Sequence, residues 1–143
     1  MSTQSMASTD SARVQSEPFT ATVLMASLTV KDIHRSLRWY GDTVGFTVEA
    51  QMEREGKLRS VRLSAGPVRI LLNQDDGAKG WERVKGEGFS LTFNTNQDID
   101  AIASGIRARG GELASEPADM PWGVRMFRLV DPDGYKLSIS KPK

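Results

Sequence analysis

Asp32 and Asp98 stand 66 residues apart, and so do Ile33 and Ile99, Gly45 and Gly111, Val61 and Phe127, and Leu63 and Leu129. Each copy has the same order of elements. In the first, residues 22–30 are rich in β-branched side chains and predict a strand. Asp32 is placed to cap a helix carrying Ile33, Leu37, Tyr40 and Val44 at helical spacing, and Gly45 to end it. Residues 46–51, 59–64 and 68–73 predict three further strands, separated by Glu53-Arg54-Glu55-Gly56 and Ala65-Gly66-Pro67. In the second copy, residues 89–95 predict a strand, Asp98 caps a helix carrying Ile99, Ile102 and Ile106, and Gly110-Gly111 ends it. Strands follow at 112–115, 124–130 and 135–140, the last two joined by Asp131-Pro132-Asp133-Gly134. A period beyond about 50 residues exceeds that of solenoid arrays, so the chain reads as two tandem βαβββ modules of an α+β fold. One helix on one face of each small mixed sheet leaves the opposite face in need of a partner.

The first module spans 21–74, a polar connector 75–86 and the second module 87–141, within one domain over 21–143. Residues 1–18 are mostly Ser, Thr, Gln and Ala, and a disordered tail is expected over 1–20 because so little can be buried to offset the entropy of ordering it. Arg13 is followed by Val-Gln-Ser-Glu-Pro and not by the apolar run of a secretory signal. No apolar run approaches the roughly 20 residues that a spanning helix needs. The expectation is a cytoplasmic protein without membrane attachment.

Composition removes whole classes of chemistry. Lys+Arg 19 against Asp+Glu 18 leaves a net charge of +1, too little for a field that holds nucleic acid. Cysteine is absent, which removes disulfides, thiol nucleophiles and thiolate metal sites. His34 is the single histidine, so an imidazole metal cluster has no second ring and a Ser-His-Asp arrangement has only this one to use. Its place just inside the first helix reads as an exposed helix residue.

The run Leu28-Thr29-Val30-Lys31-Asp32 through Ser36, with Trp39-Tyr40 and Gly45-Phe46, resembles the vicinal oxygen chelate superfamily of glyoxalase I, bleomycin-resistance proteins and extradiol dioxygenases. So does Trp122-Gly123-Val124-Arg125-Met126-Phe127 leading into Asp131-Pro132-Asp133-Gly134-Tyr135, and the likeness covers residues 21–140. The resemblance implies sheets that curl around a ligand cavity, commonly in a homodimer whose cavity is built from paired modules. In its enzymes a divalent metal binds adjacent substrate oxygens, held by His and Glu near the middle of the first strand and the end of the fourth in each half. Matching those positions puts Met25 and Leu71 in the first half, and Phe89 or Ser90 with Ser138 in the second. A thioether, an alkyl chain and hydroxyls are poor ligands for such ions, and a catalytic site needs about three good ones. No metal and no cofactor are therefore expected.

Alternation then assigns the cavity face. Tyr135, Leu137 and Ile139 should face the helices, leaving Lys136, Ser138 and Ser140 opposite, and Val68, Ile70 and Leu72 should leave Arg69, Leu71 and Asn73 opposite. The candidate ligand-binding set is Met25, Ser27, Arg62, Arg69, Leu71, Phe89, Ser90, Trp122, Arg128 and Ser138. Arginines between apolar patches suit a planar or elongated organic ligand bearing an anionic group, although the same arginines on a wetted sheet face serve solubility alone. Trp39 and Tyr40 read as packing residues. Trp81 reads as a ligand or dimer contact, Trp122 as a plug anchoring its turn or a ligand contact, and Glu49, Glu53 and Glu55 as a solvated edge.

The function these readings favour is metal-independent binding of a small molecule by a homodimer. Bleomycin itself, bulky and basic, suits an acidic groove and not this one. The alternatives are a metal-dependent lyase, isomerase or dioxygenase, a metal-free enzyme using an arginine as electrophile with Glu49 or a serine as proton carrier, and a regulatory module whose cavity is closed by Met25, Leu71 and Phe89.

Overall fold

The computed structural model describes residues 17–143, so most of the expected tail lies outside the described residues. The first module consists of β1 (Met25–Val30), α1 (Ile33–Arg38), β2 (Thr47–Arg54), β3 (Lys57–Ala65) and β4 (Val68–Gln74); the second of β5 (Ser90–Asn94), α2 (Ile99–Ala108), β6 (Ser115–Asp119), β7 (Val124–Val130) and β8 (Lys136–Pro142). The sheets have the orders β1-β4-β3-β2 and β5-β8-β7-β6. In each, the first strand runs parallel to the last and the other pairs are antiparallel. Both modules are therefore βαβββ units with mixed sheets.

Four elements depart from the sequence reading. β2 runs on to Arg54 and not 51, because Glu53 and Arg54, read as turn, pair with Leu58 and Lys57 of β3. β1 begins at Met25 and not at residue 22, because its ladder with β4 starts at Met25↔Arg69 and the residues before it have no strand to pair with. The first helix does not run α-helical to Gly45: it widens into a π-helical turn over Trp39–Val44. That turn closes when the N–H groups of Gly45 and Phe46 both donate to the Tyr40 carbonyl at 3.0 and 2.9 Å, with Gly45 at φ 111°. β6 covers Ser115–Asp119 and not 112–115, since Ser115, Ala118 and Asp119 pair with Arg128, Met126 and Arg125. It contains Pro117, which an edge strand tolerates because one side of its ladder needs no donor. The helix starts follow the reading: Asp32 Oδ1 accepts from the N–H groups of His34 and Arg35 at 3.1 and 3.3 Å, and Asp98 Oδ1 from Asp100 and Ala101 at 2.9 and 3.2 Å.

A single apolar core joins the modules. Leu28, Val30, Val61, Leu63, Ile70 and Leu72 bury one face of the first sheet against Ile33 and Tyr40, and Phe127, Leu129, Leu137 and Ile139 bury one face of the second against Ile99, Ala103 and Ile106. Each large side chain so buried contributes about 1.5–3 kcal/mol. Across the seam Phe46 meets Phe93 edge to face, with ring centroids 5.7 Å apart.

The turn after β7 locks the modules together. Asp131 Oδ1 accepts from the N–H groups of Asp133 and Tyr135, both at 2.8 Å, which shapes the turn. Its Oδ2 accepts from the buried Tyr40 hydroxyl at 2.8 Å. Next to it, Asp133 Oδ1 accepts from the Lys31 N–H at 2.8 Å, and the Tyr135 hydroxyl donates to the Thr29 carbonyl at 2.8 Å. The connector is held by buried Lys85, 3.2 Å from Asp75. It passes Tyr135 at Gly86, where φ is +75° and a Cβ would sit 2.6 Å from the ring.

Two outcomes follow from this lock. Tyr40→Phe removes a donor from a buried carboxylate and is expected to cost about 1–3 kcal/mol in urea denaturation. Burial is the largest influence on Asp131 and pushes its carboxyl above the usual range, against the hydrogen bonds that favour the ionised form. The carboxyl thus supports folding most below the unfolded-state value of about 4, and that support is lost as pH rises through the raised folded value. The stability of the native chain relative to Asp131→Asn is expected to fall with rising pH across the acid range and then level off.

Candidate functional site

Because side chains alternate along a strand, the residues between the core positions are committed to the opposite, concave face. On the second sheet the register lines them up in rows across β7, β8 and β5: Val130–Lys136–Ser90, Arg128–Ser138–Thr92 and Met126–Ser140–Asn94. Adjacent strands lie about 4.8 Å apart, so each row is a contiguous strip. With Trp122 and Val124 these residues line a groove of about 610 Å³. Met126, Ser138 and Ser140 form its buried floor, while Trp122 is 66% exposed beside it. Among the described residues, Ser90, Thr92, Asn94, Ser138 and Ser140 make no side-chain hydrogen bond. The groove thus offers a row of short donors and acceptors next to a thioether and an indole.

The first sheet carries the same rows on its concave face: Ser64–Arg69–Met25, Arg62–Leu71–Ser27 and Ser60–Asn73–Thr29. Here Ser60, Asn73 and both arginines have side-chain partners. Ser60 donates to Asn73 at 3.0 Å. Glu49, at a bulge between the β2 residues Val48 and Ala50, places Oε1 3.1 Å from Arg62 Nε and 3.0 Å from Arg69 Nε. Glu49 is exposed on the edge strand β2 and is at the same time the counter-ion shared by both arginines. The irregular register carries its side chain to their face.

The structure places Ser90, Trp122, Arg128 and Ser138 together in the groove, and Met25, Ser27, Arg62, Arg69 and Leu71 together on the first sheet's concave face. Phe89 belongs to neither set, for its ring packs on Tyr135 with centroids 5.8 Å apart. The groove position is thus Ser90. Trp122 is too exposed to plug its turn, and Trp81 lies against Gly77 in the connector. Thr92, Asn94 and Met126 join the site without having been singled out, although alternation against core-facing Leu91 and Phe93 marks the first two. A larger cleft of about 980 Å³ lies on the helix side between β3–β4 and α2, over the core residues Leu129, Leu137 and Ile139. It contains none of the candidate residues, whereas the smaller groove brings Ser90, Trp122, Arg128 and Ser138 together and is the candidate site.

A metal does not fit here. The positions Met25, Leu71, Ser90 and Ser138 offer one thioether, one alkyl chain and two hydroxyls, and the described residues contain no group of three His, Cys, Asp or Glu side chains able to hold an ion.

Comparison with known proteins bears on the same residues. A sequence model of the Glyoxalase/Bleomycin resistance protein/Dioxygenase superfamily matches residues 22–139. The chain belongs to this superfamily. It is 27% identical over 123 residues to a probable lactoylglutathione lyase of Synechocystis, covering 82% of this chain and 92% of that protein. A putative lactoylglutathione lyase of Brassica oleracea is 27% identical over 116 residues, and there the chain spans only 40% of the relative's length. Among solved structures, TioX of Micromonospora superposes with a TM-score of 0.70 at 18% identity, covering 86% of this chain and all of TioX. TnmS3 of Streptomyces, an antibiotic binding protein, superposes with a TM-score of 0.67 at 23% identity, covering 89% of this chain and 100% of TnmS3. At these identities the two structures establish the glyoxalase fold alone. Among the described residues no helix is long and apolar enough to cross a membrane.

For this superfamily member, Zn²⁺, Ni²⁺ or Mn²⁺ added after exhaustive chelation is expected to leave Tm unchanged. A ligated structural or catalytic ion raises it through the free energy of binding, so differential scanning calorimetry checks the point.

Proposed function

We propose that this glyoxalase-fold protein binds a small organic molecule without a metal, in a cavity that the second sheet's groove forms with the first sheet's concave face of a second copy. The observation that carries the reading is that the described residues hold no group of three metal-ligating side chains, while Met25, Leu71, Ser90 and Ser138, which the resemblance matches to the ligand positions, lie on two open faces. A homodimer supplies the missing wall, because each chain carries one face of each kind. An antibiotic binding protein among the structural neighbours is in keeping with this use of the fold.

The lyase reading draws on the lactoylglutathione lyase relatives, but their kind of chemistry needs a donor set that these four positions do not supply. The metal-free enzyme reading leaned on Glu49, whose Oε1 is shared between two arginines. The closed-module reading needed Met25, Leu71 and Phe89 to fill the cavity, whereas Met25 is 47% exposed and Phe89 packs elsewhere.

Native mass spectrometry of gently purified, untagged protein tests the proposal. A metal-free dimer carrying an organic adduct is the expected spectrum, and one divalent metal per chain overturns the reading. Ser138→Phe, which fills the groove from its floor, is expected to keep the dimer mass and lose most of the adduct.

A further inference from the structure

The two concave faces are copies of one another, and the offsets between their residues show it strand by strand. Met25 and Ser27 correspond to Ser90 and Thr92 at 65 residues, Arg62 to Arg128 at 66, and Arg69 and Leu71 to Lys136 and Ser138 at 67. Each face therefore carries two cations at matching places, Arg62 with Arg69 and Arg128 with Lys136. In both pairs the residues are diagonal neighbours on adjacent antiparallel strands, about 7–8 Å apart and within reach of one shared group.

In the first module the shared group is present. Glu49 Oε1 lies 3.1 and 3.0 Å from the two guanidinium Nε atoms. The residue 66 positions after Glu49 is Ser115, which lies opposite Arg128 and accepts its backbone N–H at 3.0 Å. The next residue, Glu116, turns away to pair with Arg107 on α2. The remaining ion pairs of this module run from Arg125 to Asp100 and Asp119, from Lys143 to Asp119 and from Arg35 to Asp133; among the described residues none reaches Arg128 or Lys136. The second module keeps the cation pair and lacks its carboxylate.

We propose that Arg128 and Lys136, with the hydroxyls of Ser138 and Thr92 between Arg128 and the sheet edge, form a subsite for a carboxylate on the bound molecule. Glu49 shows the arrangement with a carboxylate supplied from within the chain. The ligand carrying that group is an aromatic acid, its ring lying along the Met126 and Trp122 side of the groove, where a thioether and an indole favour flat apolar surface. This rests on the small-molecule-binding reading above and adds that only one of the two arginine-bearing faces reads charge. Between Arg62 and Arg69 the carboxylate place is already taken by Glu49.

The test compares 2-naphthoate with 2-naphthamide, which differ in charge and little in shape, by isothermal titration of the full chain. The naphthoate is expected to bind at least about tenfold more tightly, the scale of one charge-assisted hydrogen bond over a neutral one. The preference is expected to vanish in Arg128→Gln/Lys136→Gln and, independently, in Ser115→Glu, which restores the missing counter-ion. It is expected to survive in Lys57→Gln/Arg59→Gln, which removes the same net charge elsewhere. Equal binding of the two probes, or a preference that persists in Arg128→Gln/Lys136→Gln, overturns the subsite. Should Ser115→Glu not fold, the glutamine pair decides alone. Failure of both probes to bind also overturns the subsite, while the adduct in the native mass spectrum decides the binding reading separately.

Discussion

Period-two alternation along strands that bury only one face governs most of what this molecule can do. Leu137 and Ile139 are in the core because the second sheet must cover α2, and that commitment forces Ser138 and Ser140 onto the concave face. The same holds for Ile70 and Leu72 against Arg69, Leu71 and Asn73. A slip of one residue in either β4 or β8 puts arginine or serine into the core and leucine into the groove. The concave surface is thus fixed by the same free energy that folds the chain, and it is as rigid as the sheets that carry it.

What alternation does not fix is the relation between the two sheets, and here polar contacts matter. The Asp131-Pro132-Asp133-Gly134 turn belongs to the second module yet presents its carboxylates to the first. A buried carboxyl is costly, and burial does raise its pKa, but Oδ1 takes two N–H groups and Oδ2 the Tyr40 hydroxyl. Burial and the neighbouring carboxylate together push the Tyr40 hydroxyl far above its ordinary range, so it stays a donor throughout physiological pH. The π-helical turn at Trp39–Val44 belongs to the same junction, since Tyr40 both opens that turn and meets Asp131. Packing at Phe46 and Phe93 and this lock leave the concave faces free of any structural duty between modules.

Much of this was legible in the sequence, for reasons that can be named. Asp32 and Asp98 are good caps followed by apolar residues at helical spacing, and they start helices as read. The strands with strong alternation, β4, β7 and β8, fall within about a residue or two of their expected ends. β6 was misplaced because Ser-Glu-Pro-Ala-Asp has neither β-branched residues nor alternation, and its pairing is imposed by β7. The groove face was legible where the core residue beside it was unmistakable, as at Ser138. At Phe89 and Ser90 an uncertainty of one residue exchanged the core face for the groove face, and only the ladder with β8 resolves it. The role of Glu49 was invisible, because a bulge suspends the rule by which its direction could be read.

Divergence between the halves is most informative where it is least constrained by folding. The core keeps its offsets and its chemistry: Ile33 matches Ile99, Leu63 matches Leu129, and the N–H groups of Gly45 and Gly111 close the helices on the carbonyls of Tyr40 and Ile106. On the concave faces equivalent register places link Met25 to Ser90 and Leu71 to Ser138, pairs with little in common. Burial cannot explain that difference, since the residues occupy equivalent places on equivalent sheets. A duplicated scaffold whose cores agree and whose cavity faces differ has been tuned face by face to its surroundings. Between its two cations the first face carries Glu49; the second carries hydroxyls, an amide and two cations with no carboxylate between them.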